Sequence, residues 1–149
     1  MSENAQSAAL PPFEALDFLY MPSRDVERDL TFFTEVIGGV LVFAIEAYGA
    51  RVAQFRLSNG SPRLLLADHL EGQTPFLVYR VGDLDSTLAE LEQRDLELEG
   101  RFGIPHGPCA AVRAPGGQRL ALYELTRPQA DDHLAGRLDF GPGWQGSTR

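Results

Sequence analysis

The chain has 149 residues, 44% of them hydrophobic, which suffices for one compact domain with a proper core and is short for two independent ones. Its 13 basic and 21 acidic residues leave a net charge of -8, so long-range repulsion excludes nucleic acid and anionic membrane surfaces and leaves small molecules or other proteins as partners. Every basic residue is arginine, which removes Schiff-base chemistry, a P-loop lysine and a lysine general base together.

Residues 1–13 are polar and Ala-rich up to Pro11-Pro12, bury too little apolar surface to offset ordering, and read as a flexible arm. The opening thirty residues lack the charged-then-apolar layout of a signal peptide, and the single cysteine, Cys109, excludes an internal disulfide; both fit a cytoplasmic protein. The longest apolar run, Val36 to Ile45, is about half of the ~20 residues a membrane span requires. Leu16 to Met21 reads as a strand. Ser23 or Asp25 can cap a helix that places Val26, Leu30, Phe33 and Ile37 on one face and stops at Gly38-Gly39. Strands follow at Val40 to Glu46 and Arg51 to Leu57, joined around Tyr48-Gly49, and at Arg63 to Ala67 after the turn Ser58 to Ser61.

The same order then repeats. A strand at Phe76 to Val81 leads to a helix at Asp83 to Arg94, then strands near Leu96 to Phe102, at Cys109 to Ala114 and, past Pro115-Gly116-Gly117, at Gln118 to Leu125. Asp25-Val26-x-x-x-Leu30-x-x-Phe33 returns as Asp83-Leu84-x-x-x-Leu88-x-x-Leu91, and Arg63-Leu64-Leu65-Leu66 returns as Arg119-Leu120-Ala121-Leu122. The expected fold is therefore α+β: two tandem βαβββ modules, 14–70 and 74–126, in one domain whose curved mixed sheets form a ligand cup.

Strand alternation assigns faces. Ala53, Phe55, Leu57, Leu64, Leu66, Ala110, Val112, Ala114, Leu120 and Leu122 are expected under helices. The opposite face gathers Phe18, Tyr20, Gln54, Arg56, Arg63, Leu65, Phe76, Val78, Arg80, Arg113, Arg119, Ala121 and Tyr123, a mixture of aromatic walls and guanidinium groups. That face would line the cup.

Two such modules, each helix opened by aspartate and each half closed by a P-x-G-x-x-L-x-L-like strand, resemble the vicinal-oxygen-chelate superfamily of glyoxalases, extradiol dioxygenases and bleomycin-binding proteins. The resemblance spans roughly residues 14–126 and is most specific from Ile104 to Cys109 and from Ala114 to Leu122. It implies metal-ligand positions early in the first strand and in the last strand of each module, and these positions hold Phe18, Leu65, Phe76 and Ala121. None can ligate a divalent ion. The resemblance thus implies a member without metal or other cofactor, of the drug-sequestering kind. A rearranged metal set would have to come from His69, His106, Cys109 and Glu124.

The expected ligand-binding residues are Phe18, Tyr20, Gln54, Arg56, Leu65, Phe76, Val78, His106, Arg113, Ala121 and Tyr123. Sequestration or carriage of an aromatic or anionic small molecule is the leading function. The alternative is a lyase, isomerase or dioxygenase, with His106, Tyr20 and Tyr123 as its acid–base groups. Each residue also has a plainer role: His106 as a solvated loop histidine, Cys109 as a buried apolar filler, the tyrosines as wall residues, and the arginines as strand ends reaching water instead of an anion clamp. His69 and His133 read as surface residues.

After Thr126-Arg127-Pro128, the extension 127–149 can form a short helix with Ala130, Leu134 and Leu138 on one side, followed by Phe140, Pro142 and Trp144. So much apolar surface is expected to dock, either on the chain's own sheet or across a partner subunit. Exposed strand edges point to a homodimer.

Overall fold

The computed structural model describes residues 10–47 and 49–140. Its elements are β1 (Ala15–Pro22), α1 (Val26–Thr31) continued by a π turn (Phe32–Val36), β2 (Val40–Ala47), β3 (Ala50–Arg56), β4 (Arg63–Ala67), β5 (Phe76–Val81), α2 (Leu84–Glu92), β6 (Leu98–Ile104), β7 (Gly107–Arg113), β8 (Arg119–Glu124) and α3 (Ala130–Leu134). The fold is α+β, and the two modules share one eight-stranded sheet in the order β2-β3-β4-β1-β5-β8-β7-β6. Within each module the first and last strands pair in parallel, β1 with β4 and β5 with β8, and antiparallel pairing of β1 with β5 joins the modules inside one chain.

The sheet curls strongly. Tyr20 on β1 and Phe102 on β6 lie four strands apart in the sheet, which would separate them by about 19 Å if it were flat. Their ring centroids are 5.7 Å apart. Outside the curl, α1 covers Ala53, Phe55, Leu64 and Leu66, while α2 covers Ala110 and Leu122. Both helices start in the same way: the Asp25 carboxylate accepts from Arg28 N–H and the Asp83 carboxylate from Ser86 N–H, each at 3.0 Å. Asp25 is thus the cap, and Ser23 instead donates to Asp29 at 2.6 Å.

Two expected core positions need correction. Ile37 is 53% exposed because its N–H reaches Phe32 C=O at 3.0 Å, an i→i+5 bond whose wider turn rotates Ile37 off the face shared by Val26 and Leu30. Leu57 lies past the end of β3 and is 46% exposed. Elsewhere element bounds move by a residue or two; β6 begins at Leu98 and β7 at Gly107. Gly107 is required where it stands, since a Cβ there would fall 1.9 Å from Glu124 O.

Past β8 the chain crosses to the opposite module and docks on its own sheet. Gly136 N–H reaches Val42 O, Ala44 N–H reaches Arg137 O, and Asp139 N–H reaches Ala44 O, at 2.7 to 2.9 Å. The exposed edge of β2 is thereby covered, and Phe140 is fully buried beside Val26, Leu30 and Phe55. The helix ends at Leu134, so Leu138 joins a bridge to Ala44 instead of continuing a helical face. Pro142 and Trp144 lie outside the described residues, as do Tyr48 and residues 1–9 of the arm; Phe13 packs on Tyr79 at 5.4 Å. Among the described residues no helix is long and apolar enough to cross a membrane.

Candidate functional site

The concave face carries one packed cluster that includes Phe18, Tyr20, Phe43, Leu65, Phe76, Val78, Ala121 and Tyr123. Register makes it repeat. Phe18 stands beside Arg63 on β4, and Phe76 stands beside Arg119 on β8, the same Phe and Arg pair in each module. The Arg119 guanidinium lies 3.8 Å from the centre of the Phe76 ring and donates to the carbonyls of Glu71 and Thr74 at 2.8 and 3.1 Å. Arg63 pairs with Asp131 on α3.

The four positions at which the resemblance implies metal ligands are all apolar and sealed, with exposures of 5% at Phe18, 2% at Phe76 and zero at Leu65 and Ala121. They do not fit a divalent ion. Nor do His69, His106, Cys109 and Glu124 gather: among the described residues no three His, Cys, Asp or Glu side chains form a group that could hold one.

His106 is not a solvated loop residue. It occupies the two-residue turn between β6 and β7, is 4% exposed, and its ring lies over Phe18 with centroids 4.4 Å apart. Its Nε2 is 2.7 Å from Asp131 Oδ1; a carboxylate only accepts, so Nε2 carries the proton and donates. The remaining nitrogen, Nδ1, is then a buried lone pair with no partner among the described residues. Burial first, and then the nearby Arg63 and Arg127 guanidinium groups, hold the imidazole pKa down at about 4, leaving it neutral near pH 7.

The other candidate acid–base groups are held protonated. Burial raises Tyr20, whose hydroxyl is 3.4 Å from His69 Nε2. Burial and a 2.5 Å bond donated to Asp17 raise Tyr123. Asp17 reaches this position through a bulge in β1, where the register with β5 slips between Leu16 and Phe18. Cys109 is 1% exposed and its thiol is pushed up by burial, which suits an inert filler better than a nucleophile. Gln54 is fully buried on β3, opposite Leu65 and Phe43, and neither its amide oxygen nor its nitrogen finds a partner among the described residues.

Open space lies toward the mouth. A cavity of about 720 Å³ is bounded by Tyr20, Ile45 and Val52 from the first module, Phe102 and Ile104 from the second, and Ala130 and Leu134 from α3, with His69, Arg127 and His133 at its polar points. A second, about 490 Å³, lies against Phe76, Phe102, Ala111, Arg113 and Arg119. His69 and Phe102 border both. Of the eleven residues expected to bind ligand, Tyr20 lines the first cavity and Phe76 and Arg113 the second. Phe18, Gln54, Leu65, Val78, Ala121 and Tyr123 form the packed floor, and His106 and Arg56 line neither cavity.

The arginines do not converge. Arg113 pairs with Glu99, Arg80 with Glu14 and Asp17, and Arg63 with Asp131, while Arg56 stays half-buried with Nε unpartnered among the described residues. The sequence reading missed Phe102, Ile104, Leu134 and Asp131. Alternation within β6 would have offered Phe102 and Ile104, but only the course of the extension brings Leu134 and Asp131 to the cup.

No family model and no curated protein sequence matches the chain. Solved structures do. Methylmalonyl-CoA epimerase from Mycobacterium tuberculosis is similar at 20% identity with a TM-score of 0.65, over 82% of this chain and 95% of that one. A hypothetical protein, BH1468, from Bacillus halodurans follows at 12% identity and 0.63, over 76% and 95%. The halotolerant catechol dioxygenase BphC is similar at 13% identity and 0.55, over 75% of this chain and 42% of that one. Epimerase and dioxygenase are both vicinal-oxygen-chelate proteins, and identities this low speak for the fold alone. The two βαβββ modules, their antiparallel junction through β1 and β5, and these likenesses give the chain the vicinal-oxygen-chelate fold.

Proposed function

We propose that this protein binds an amphipathic aromatic small molecule in its mouth cavity, without a metal ion, for sequestration or carriage. The observation that carries the reading is the 720 Å³ cavity, of a size suited to a drug-sized ligand, with apolar walls, two aromatic rings and a few polar points. Phe102 supplies ring surface, backed by the fully buried Tyr20; His69, Arg127 and His133 supply orientation. The apolar side chains at the family's ligand positions favour a metal-free mode. An acid–base reading draws on the unpaired Nδ1 of neutral His106, but neither cavity reaches His106 or Tyr123, and binding is favoured over catalysis.

The proposal extends to a cytoplasmic homodimer. The buried free thiol of Cys109 suits a reducing compartment, and the exposed side chains of Phe32, Val36, Ile37, Val40 and Leu57 offer a second copy an apolar face. Sedimentation velocity tests the dimer, with a monomer at all concentrations refuting it.

The binding test is a calorimetric titration with naphthalene-2-methanol in the presence of EDTA. Saturable binding is expected, with Phe102→Ala weakening it about tenfold through lost ring contact. Absence of binding, or binding only after divalent ions are supplied, refutes the reading.

A further inference from the structure

The mouth cavity is closed on one side by a piece of the chain's own extension, and one carboxylate anchors that piece. Asp131 accepts from His106 Nε2 with one oxygen and pairs with Arg63 through the other. Arg63 opens β4 of the first module, and His106 sits in the β6–β7 turn of the second, so this carboxylate bridges both halves of the cup. Asp131 belongs to a helix of five residues without a side-chain N-cap bond. The neighbours of Asp131 on that helix, Ala130 and Leu134, are cavity wall.

The segment is tethered at both ends, and between them it is held by the Asp131 pairs and by the packing of Ala130 and Leu134. Thr126 and Arg127 N–H groups bond His106 O at one end, and the bonds to Val42 and Ala44 with buried Phe140 hold the other. Gly136, at a φ of 80°, follows the C-cap Ala135 of α3 and supplies a left-handed turn that a glycine adopts without strain. Displacement of α3 would therefore leave the sheet intact, enlarge the apolar cavity, and present Arg63 and His106 as two donors for an anion. Two donors converging on a carboxylate, beside an apolar cavity, form a recognition site for a carboxylate attached to an apolar body.

We propose that Arg63 and His106 form a carboxylate-binding site now filled by Asp131 of the chain's own extension, and that an aromatic carboxylate ligand competes with Asp131 and displaces α3. This rests on the mouth-cavity reading and names the ligand class: a flat apolar body bearing one carboxylate. Arg127, which donates to Ile104 O and Pro105 O, adds positive charge beside the pair without being consumed by Asp131.

The test compares naphthalene-2-carboxylate with uncharged naphthalene-2-methanol on the wild type and on Asp131→Asn, by calorimetric titration. The expected result is about a tenfold gain in affinity for the carboxylate in Asp131→Asn, a change under about twofold for the alcohol, and loss of the carboxylate gain when Arg63→Gln is added. An equal affinity of the carboxylate for wild type and Asp131→Asn, with the alcohol still bound, overturns the competition alone. Failure of both probes to bind either protein overturns the cavity reading with it. A second measurement uses the wild type, and so does not depend on the variant folding. Saturating carboxylate should speed hydrogen exchange at the His133 and Ala135 amides, which bond within α3, whereas the alcohol should not, and protection of these amides by the carboxylate overturns displacement.

Discussion

His106 Nε2 donates to Asp131 Oδ1 across 2.7 Å, and this bond joins the β6–β7 turn to an extension that sequence repetition gave no reason to place there. It also fixes the imidazole tautomer and leaves Nδ1 without a proton. A buried neutral histidine has a definite consequence for stability.

In the unfolded chain His106 titrates near 6.5, and in the fold near 4, with Asp131, Arg63 and Arg127 facing it. Between these values the unfolded state binds a proton that the folded state refuses, so stability is full above pH 6.5 and declines as pH falls toward 4. The loss from this residue is about 3 kcal/mol. His106→Gln keeps a donor toward Asp131 and cannot titrate. Urea unfolding at pH 7 and pH 4 should show the wild type losing about 3 kcal/mol more than the variant; equal losses would mean that His106 is charged in the fold.

Phe18 lies in the packed floor, and Phe76 is almost wholly buried although it borders the second cavity, so truncation of either should register as lost stability. Phe18→Ala and Phe76→Ala are each expected to cost about 3 to 5 kcal/mol, because the rings are 5% and 2% exposed and leave a cavity behind. Phe76→Ala also strips the ring from beneath Arg119. Denaturant midpoints check both, and a cost below about 1 kcal/mol would show that the floor is open to solvent.

Gln54 is a polar group in the wrong solvent. Its amide is sealed between Phe43 and Leu65 with no partner among the described residues, and an unpaired buried polar group costs about 1 to 3 kcal/mol. Gln54→Met keeps the length of the side chain and should raise stability by about that amount in chemical denaturation. A destabilised variant would show that the amide is satisfied in solution, for example by buried water.

The architecture was legible in the sequence because its signals are local or periodic. Aspartate caps, the spacing of Val26 and Leu30, and the alternation of Ala53 and Phe55 each depend on near neighbours, and the repeat supplied the rest. The π turn was hidden, since Phe33 and Ile37 fit an ordinary helical face until the i→i+5 bond turns Ile37 away. The floor residues were readable as one face, but their closeness depends on curl, which brings Phe102 to Tyr20 across four strands. Asp131 carried no signal at all. Beside Asp132 it looks like a solvated charge, and only the crossing of the extension over the cup gives it Arg63 and His106 as partners.

The central claim, a metal-free aromatic site at the mouth of the cup, is tested most directly by backbone amide NMR of EDTA-treated protein titrated with naphthalene-2-methanol. The account predicts saturable shifts centred on the amides of Val52, Phe102, Ile104 and Leu134, which belong to three separate elements, β3, β6 and α3, that meet at the cavity. Shifts scattered elsewhere, or appearing at these positions only once zinc or manganese is added, would contradict it.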